Sequence, residues 1–176
     1  MNDVHPYVRL ARLTVERLLN GNPPPTSGTE IENDVELWNK ERACFVSIKT
    51  HSGALRGCIG TIVPTQGGLD LEIITNAVAA STRDPRFPPM TSTELEEVTF
   101  SVDVLGPPEP VSDRDELDPS VWGVIVTQGF RRGVLLPDLE GVDTVEEQLA
   151  IAARKAGIGN FDSVTIERFR VDRYKE

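Results

Sequence analysis

The feature that most constrains the fold of this chain is a cysteine flanked by glycines in a segment that otherwise has the pattern of a β-strand. Residues 55–61 read LRGCIGT, with Gly57 before Cys58 and Gly60 after it. Glycine weakens the interior of a strand, so glycines here indicate a bulge or a close approach by other backbone. The segment is therefore either part of a backbone-shaped pocket or a packing device.

The hairpin that carries this segment follows from the turn before it. Residues 43–50 have the pattern of an apolar strand, and Gly53 supplies the positive φ that tight hairpin turns require. A two-residue loop would place Ser47 opposite Cys58, whereas a three-residue loop would shift the pairing by one residue. Neither register pairs the chain's two cysteines directly, so the spacing predicts no disulfide between them.

The rest of the chain combines helical periodicity with strand alternation. The predicted elements are helices over 6–20, 70–82 and 145–156, helical turns within 31–39, a capped turn over 91–97, and strands over 98–104, 123–127, 133–137 and 164–174. The last strand changes phase near Arg168, which predicts a bulge or bend there. Two intact hairpins and long intervals between the other strands predict an α+β fold, a largely antiparallel sheet with flanking helices.

Composition limits the class of protein and of partner. A chain of 176 residues suits a single domain over 1–176, with room for two sub-lobes. The chain has 28 acidic and 18 basic side chains, and the resulting net charge of −10 disfavours nucleic acid as a partner. The apolar stretches are far shorter than the roughly 20 residues of a membrane span. The N-terminus lacks the pattern of a signal peptide, so we expect a cytoplasmic protein without membrane association.

Metal and cofactor motifs are not found. The two cysteines lack zinc spacing, and His5 and His51 are the only histidines. His5 is expected to be a solvated residue of a frayed terminus and His51 a solvated residue of a hairpin tip. The acidic run over 113–118 lacks the glycine and final glutamate of a calcium loop. Phosphate-loop and dinucleotide fingerprints are absent as well, so we predict no metal and no cofactor.

The candidate site residues surround Cys58. Arg56 would favour the thiolate form and, on a regular strand, would point to the same side as Cys58. The proline-rich loop over 83–89 offers Asp84. Positive charge is concentrated in this loop and in a later one, at Arg83, Arg86, Arg131 and Arg132. If these loops converge, they form an anion-binding rim. The candidate nucleophile is Cys58, and the candidate ligand-binding residues are Arg56, Gly57, Cys58, Gly60, Thr61, Asp84, Arg86 and Arg132.

Each candidate also has a purely structural interpretation. Free cysteine is among the most buried residue types, so Cys58 fits a small packing position as well as a reactive one. Asp84 fits a local Asx turn, and the arginines fit salt bridges to the abundant carboxylates. Phe87 and Trp122 are more typical of core anchors than of ligand platforms.

The order of these motifs resembles that of the AMME chromosomal-region candidate (AMMECR) family. The motifs are the hairpin cysteine, the loop over 83–89, the linker over 107–110, and the segments 132–137 and 154–157. The resemblance covers residues 43–174, and residues 55–61 match the hallmark heptapeptide of the family in full. It implies a two-lobed α+β fold with the larger lobe built from both chain ends, and a family activity that is not settled.

The resemblance also implies partners. Microbial members resemble component A of the AmmeMemoRadiSam system, which includes a Memo-like protein and a radical S-adenosylmethionine enzyme. This chain departs from the family pattern at Ala153, where a cysteine is common, and at Trp122, where a histidine is common. Mechanisms that need either group are not expected here.

Three functional hypotheses follow. The leading one is an accessory or binding protein that uses the LRGCIGT cleft to hold a small anionic ligand or a partner-borne substrate. The alternative is a cysteine-dependent enzyme with Cys58 as nucleophile and Arg56 stabilising the thiolate. An RNA-binding module is disfavoured by the net charge and by the lack of interleaved basic and aromatic residues.

Overall fold

The computed structural model describes residues 4–33, 35–36 and 38–176, and the chain divides into two compact units. The first unit comprises the chain up to Val104 together with Asp172–Glu176, and the second comprises Leu105–Val171. The larger unit therefore contains both chain ends, as the sequence resemblance implies.

Each unit is built around a four-stranded antiparallel sheet, which confirms the predicted α+β class. The sheets have the strand orders β2–β1–β3–β8 and β4–β7–β5–β6. In chain order the elements are α1 (Pro6–Leu19), β1 (Cys44–Thr50), β2 (Leu55–Gly60), α2 (Leu69–Thr82), β3 (Val98–Leu105), β4 (Glu109–Pro110), β5 (Gly123–Gln128), β6 (Arg131–Leu135), α3 (Val145–Lys155), β7 (Thr165–Phe169) and β8 (Val171–Lys175).

The core of the first unit lies between its helices and one face of its sheet. Alternate residues of β1 and β3, such as Val46, Ile48 and Phe100, are fully or almost fully buried. Because side chains alternate across a strand, the opposite face of β1 carries polar residues such as Ser47. This alternation places Ser47 on the side of the hairpin that faces away from the core.

The second unit packs α3 against β5 and β6. Its helix begins with the predicted capping box, in which Thr144 and Glu147 bond each other's backbone amides. Gly133 allows the helix to approach β6 closely, since a Cβ there would overlap the carbonyl oxygen of Ala152. The β5–β6 turn is shorter than predicted, because Gly129 at φ 60° closes it over two residues and leaves Arg131 in the strand.

The predicted single strand over 164–174 is wrong. The chain forms β7 in one sheet, is interrupted at Arg170, and continues as β8 in the other sheet. The phase change in the apolar pattern therefore marks a passage between sheets rather than a bulge near Arg168. Such a crossing cannot be told from a bulge by periodicity alone.

The structure differs from expectation at the start of α1. His5 is not in a frayed segment: it is half-buried and caps α1, where its Nδ1 accepts a hydrogen bond from the Tyr7 amide. The predicted helical turns over 31–39 include positions 34 and 37, which lie outside the described residues. A short 3₁₀ helix occurs just before them, at Gly28–Glu30. In the described part of the chain, no helix is both long and apolar enough to span a bilayer.

Candidate functional site

The β1–β2 hairpin positions the candidate cysteine through a bulge. Near the turn, Lys49 lies opposite Leu55, which is the spacing of a three-residue loop. The register shifts at Arg56, so that Ser47 lies opposite Cys58. Both predicted spacings therefore occur in one hairpin, the three-residue spacing at the turn and the two-residue spacing beyond the bulge.

Cys58 is half-buried, whereas Cys44 of the same hairpin is fully buried. The Ser47 hydroxyl donates a hydrogen bond to Cys58 Sγ across the strand pair, with an Oγ–Sγ distance of 3.2 Å. The structural interpretation requires a Cys58 that is sealed in the core, and the residue is instead partly exposed.

The loop after α2 is fastened to the backbone of Cys58. Because β2 is an edge strand, a backbone amide and carbonyl that point away from β1 need partners outside the sheet. Asp84 Oδ2 accepts from the Cys58 amide at 2.9 Å, and Arg86 Nη2 donates to the Cys58 carbonyl at 3.2 Å. One carboxylate and one guanidinium therefore satisfy the free edge of β2 at Cys58.

Asp84 and Arg86 also bind each other through two parallel hydrogen bonds. Arg86 Nε donates to Asp84 Oδ1 at 2.9 Å and Nη2 donates to Oδ2 at 2.7 Å. The Arg86 amide adds the predicted Asx-type turn to Asp84 Oδ1. These bonds, led by those from the Arg86 side chain, hold the pKa of Asp84 well below its ordinary value, against the opposing effect of burial.

The two members of this pair differ in exposure. The Asp84 side chain is 2% exposed, whereas that of Arg86 is 54% exposed. The pKa of Arg86 is raised, chiefly by its hydrogen bond to Asp84, with a smaller contribution from Cys58. Arg86 is therefore a fixed cation that remains in contact with solvent beside Cys58.

The Arg56 guanidinium is paired with a carboxylate, and its predicted ligand-binding role stays a prediction. Its side chain is only 13% exposed and binds Glu94 through Nε at 2.6 Å and Nη2 at 3.2 Å. Nη2 also donates to the Pro88 carbonyl, and the guanidinium groups of Arg56 and Arg86 lie 5.8 and 5.7 Å from the centre of the Phe87 ring. Arg56 thus fastens the proline-rich loop and the following 3₁₀ helix (Ser92–Glu97) to β2, and Arg56 holds the pKa of Glu94 below its ordinary value.

Gly57 and Gly60 are explained by packing. A Cβ at Gly57 would overlap the Ala80 carbonyl oxygen of α2, and one at Gly60 would overlap the Phe45 ring. The absence of a side chain at Gly57 lets α2 lie directly against β2, which is the close backbone approach that the sequence predicts. The binding roles predicted for these glycines stay predictions.

Thr61 belongs to a second network. Its hydroxyl donates to Glu72, a carboxylate that is 1% exposed at the start of α2. Glu72 also accepts from the amides of Thr65 and Gln66, so it holds the loop that joins β2 to α2. This loop leads from the heptapeptide into the helix that packs on Gly57.

Arg132 lies in the second unit, on β6. Its Nη2 donates to Glu167 of β7 at 3.3 Å, and the neighbouring Arg131 donates to the Gly157 carbonyl. Trp122 of the same unit lies under the guanidinium groups of Arg168 and Arg170, at 4.1 and 4.5 Å from its ring centre. The predicted convergence of four arginines on one rim stays a prediction.

Sequence reasoning missed two polar partners in the first unit. Ser47 is placed by the hairpin register and could have been found there, since one of the two registers puts it opposite Cys58. Glu94 is signalled only as the third residue of a capping box with Thr91, and its long-range pairing with Arg56 leaves no local pattern.

The arrangement can bind an anion or present a thiol. It offers a fixed guanidinium beside the edge of β2, the thiol of the half-buried Cys58, and the Ser47 hydroxyl of the neighbouring strand. In the described ranges, no group of three or more histidine, cysteine, aspartate or glutamate side chains is placed to hold a metal ion.

Comparison with known proteins places this chain in one family. The AMMECR1 family model matches residues 8–175. A protein of Thermotoga maritima is 52% identical over 97% of this chain and 98% of its own length. Protein CA_C1420 of Clostridium acetobutylicum is 48% identical over 97% of this chain, which spans only 36% of that longer protein.

A solved structure shows the same fold. The crystal structure of the uncharacterized protein PH0010 from Pyrococcus horikoshii has a TM-score of 0.82 and 30% sequence identity. The match covers 97% of this chain and 89% of the other. The molecule is thus an α+β protein whose two sheets follow a known fold. The chain belongs to the AMMECR1 family, whose members matched here carry no described activity.

Proposed function

We propose that this protein is a binding component that uses the exposed edge of β2 at Cys58 to hold a small anion or an anionic group borne by a partner. The observation that carries the proposal is the fixed and half-exposed guanidinium of Arg86. A guanidinium in a set orientation can donate charge-assisted hydrogen bonds to carboxylate or phosphate oxygens through its free Nη1.

Arg86, rather than Arg56, supplies the contact with the anion. The fork of Arg56 is occupied by Glu94, and its side chain is mostly buried. In contrast, the hydrogen bonds of Arg86 use Nε and Nη2, so Nη1 has no hydrogen-bond partner in the described part of the chain. Asp84 orients this group from beneath, which lowers the entropy lost when an anion binds.

An accessory role is supported by the longer relative. Protein CA_C1420 carries the region similar to this chain as about a third of its length, so the domain occurs joined to further sequence. We propose that the Cys58 edge serves a partner-borne substrate in the cytoplasm. The partners proposed from the family resemblance are a Memo-like protein and a radical S-adenosylmethionine enzyme.

The anion-binding proposal can be tested with inorganic phosphate as the probe. We expect saturable shifts of the backbone amide signals of Cys58 and Arg86 when the ¹⁵N-labelled protein is titrated with phosphate. Replacing Arg86 by Gln should raise the Kd about tenfold, which corresponds to about 1.4 kcal/mol. The matched control is Arg83→Gln, an exposed arginine of the same loop, which should leave the Kd unchanged. Equal Kd values for the two variants would reject the assignment to Arg86.

The partner proposal needs its own measurement. The Memo-like protein of the same genome can be titrated into wild type, Arg86→Gln and Arg83→Gln by calorimetry. A saturable heat that is weakened only by Arg86→Gln supports the proposal. Absence of binding to the wild type rejects this partner without affecting the phosphate result.

A second candidate function is cysteine chemistry, and one observation favours it. The Ser47 hydroxyl donates to Cys58 Sγ, and a donor to sulfur stabilises the thiolate, which is the nucleophilic form. The Arg86 side chain donates a hydrogen bond to the Cys58 carbonyl and adds positive charge near the thiol.

The rate of alkylation tests this candidate. Iodoacetamide should label Cys58 in the native protein much faster than it labels Cys44. Cys44 is an internal control, because burial raises its pKa to about 12 and it is fully buried. Ser47→Ala should slow the labelling of Cys58, because the hydrogen-bond donor to the sulfur is lost. Labelling of Cys58 only after denaturation would rule the candidate out.

A further inference from the structure

A groove of about 840 Å³ lies wholly within the second unit. Its floor is formed by Thr165, Ile166 and Glu167 of β7, the strand that runs between β4 and β5. Residues 110–114 line the β4 side, and Thr127 and Arg132 line the β5 side. The volume is within the range of about 300–1,000 Å³ that is typical of small-molecule sites.

The lining combines an apolar surface with hydroxyl groups. Val111, Val164 and Phe161 provide hydrocarbon, and Phe161 is 38% exposed despite its size. Ser112 and Thr165 add hydroxyls at the same groove. Such a surface suits a ligand with an apolar body rather than a fully hydrated ion.

The groove lining contributes two arginines and two carboxylates, and one of the arginines forms no ion pair among the described residues. Arg132 is paired with Glu167, and Asp113 uses its carboxylate to accept from the Asp115 amide. The guanidinium of Arg114 lies 5.4 Å from the centre of the Phe161 ring. Among the residues that the structure describes, no carboxylate lies within ion-pair distance of Arg114, although the chain has a net charge of −10.

We propose that this groove binds a small amphipathic carboxylate, with the carboxylate on Arg114 and the hydrocarbon against Phe161, Val111 and Val164. At 5.4 Å from the ring centre the Arg114 guanidinium is within cation–π distance of Phe161, and its planar fork can donate two parallel hydrogen bonds to a carboxylate. The inference goes beyond the function proposed above, because the groove belongs to the second unit and uses neither Cys58 nor Arg86.

The test uses hexanoate as the probe and hexan-1-ol as its uncharged counterpart. Titration of the ¹⁵N-labelled full chain with hexanoate should shift the amide signals of residues 111–114 and 165–167 with saturation. Hexan-1-ol should bind more weakly at the same residues, because it lacks the charge that Arg114 binds. Arg114→Gln should raise the Kd of hexanoate about tenfold, or about 1.4 kcal/mol.

The matched control is Arg154→Gln, an exposed arginine of α3 that does not line the groove. It should leave the Kd of hexanoate unchanged, and Phe161→Ala should weaken both probes. Several results would overturn the proposal: shifts that do not saturate, saturable shifts elsewhere in the chain, equal binding of hexanoate and hexan-1-ol, or equal Kd values for Arg114→Gln and Arg154→Gln.

Discussion

The two cysteines of one hairpin lie in opposite environments. Cys44 on β1 is fully buried, and its sulfur and carbonyl oxygen face the side-chain amide of Asn76. Cys58 on β2 is half-buried, receives a hydrogen bond from the Ser47 hydroxyl, and has its backbone bound by Asp84 and Arg86. Burial raises the pKa of Cys44 to about 12, so this thiol stays protonated.

The strand and the sheet face that each cysteine occupies, rather than its residue type, set its environment. Cys44 belongs to an inner strand whose alternate side chains form the core. Cys58 belongs to the edge strand, where polar groups from another loop complete the backbone pairing. The chain therefore contains its own control for every experiment on Cys58.

The largest expected effect concerns the glycine next to Cys58. Gly57→Ala should destabilise the protein by about 3 kcal/mol or prevent folding, because the added Cβ would overlap the Ala80 carbonyl of α2. Urea denaturation measures the change. Gly67→Ala is the matched control, since its Cβ would meet no atom within 4 Å, and it should change stability by less than about 0.5 kcal/mol. Similar stabilities of the two variants would show that Gly57 is not a packing position.

A smaller loss of about 2 kcal/mol is expected for Asp84→Asn, which removes a buried acceptor of charge-assisted hydrogen bonds. The folded-state pKa of Asp84 is depressed from its ordinary value of 3.8, so its contribution is complete above that value and declines as the pH falls below it. The stability difference between wild type and variant should therefore be constant from pH 7 to pH 5 and shrink below about pH 4. A stability difference that grows as the pH falls would contradict the assignment of an ionised Asp84 to the Cys58 amide.

The smallest effect separates the cysteines themselves. Cys44→Ser should cost about 1 kcal/mol, because it places a hydroxyl in a fully buried site. Cys58→Ser should change stability by less than about 0.5 kcal/mol, since the site is already partly solvated and polar. Thermal unfolding of the two single variants compares them directly. A larger loss for Cys58→Ser would assign that cysteine to packing.

The sequence predicts the architecture well where the signals are local. The hairpin, the helix over Leu69–Thr82 and the capping box before α3 are confirmed, because turn residues, helical spacing and caps each act over a few positions. The passage from β7 to β8 was misread, since the change of sheet at Arg170 depends on contacts distant in sequence.

The candidate site was predicted in part for the same reason. Asp84 and Arg86 do contact Cys58, as expected from a stiff loop near a glycine-containing strand. Arg56 is expected to stabilise the thiolate, which stays a prediction; its pairing with Glu94 is a long-range contact that no short pattern reveals. Whether the predicted site residues bind a ligand is left to the experiments above.

The most direct test compares the alkylation of Cys58 by anionic iodoacetate and neutral iodoacetamide. If Arg86 and Cys58 form one anion-facing surface, the rate with iodoacetate divided by the rate with iodoacetamide should fall severalfold in Arg86→Gln. The same ratio should stay at the wild-type value in Arg83→Gln. Cys44 should remain unlabelled in all three native proteins. An unchanged ratio in Arg86→Gln, or no labelling of native Cys58 by either reagent, would show that Arg86 and Cys58 do not form one anion-facing surface.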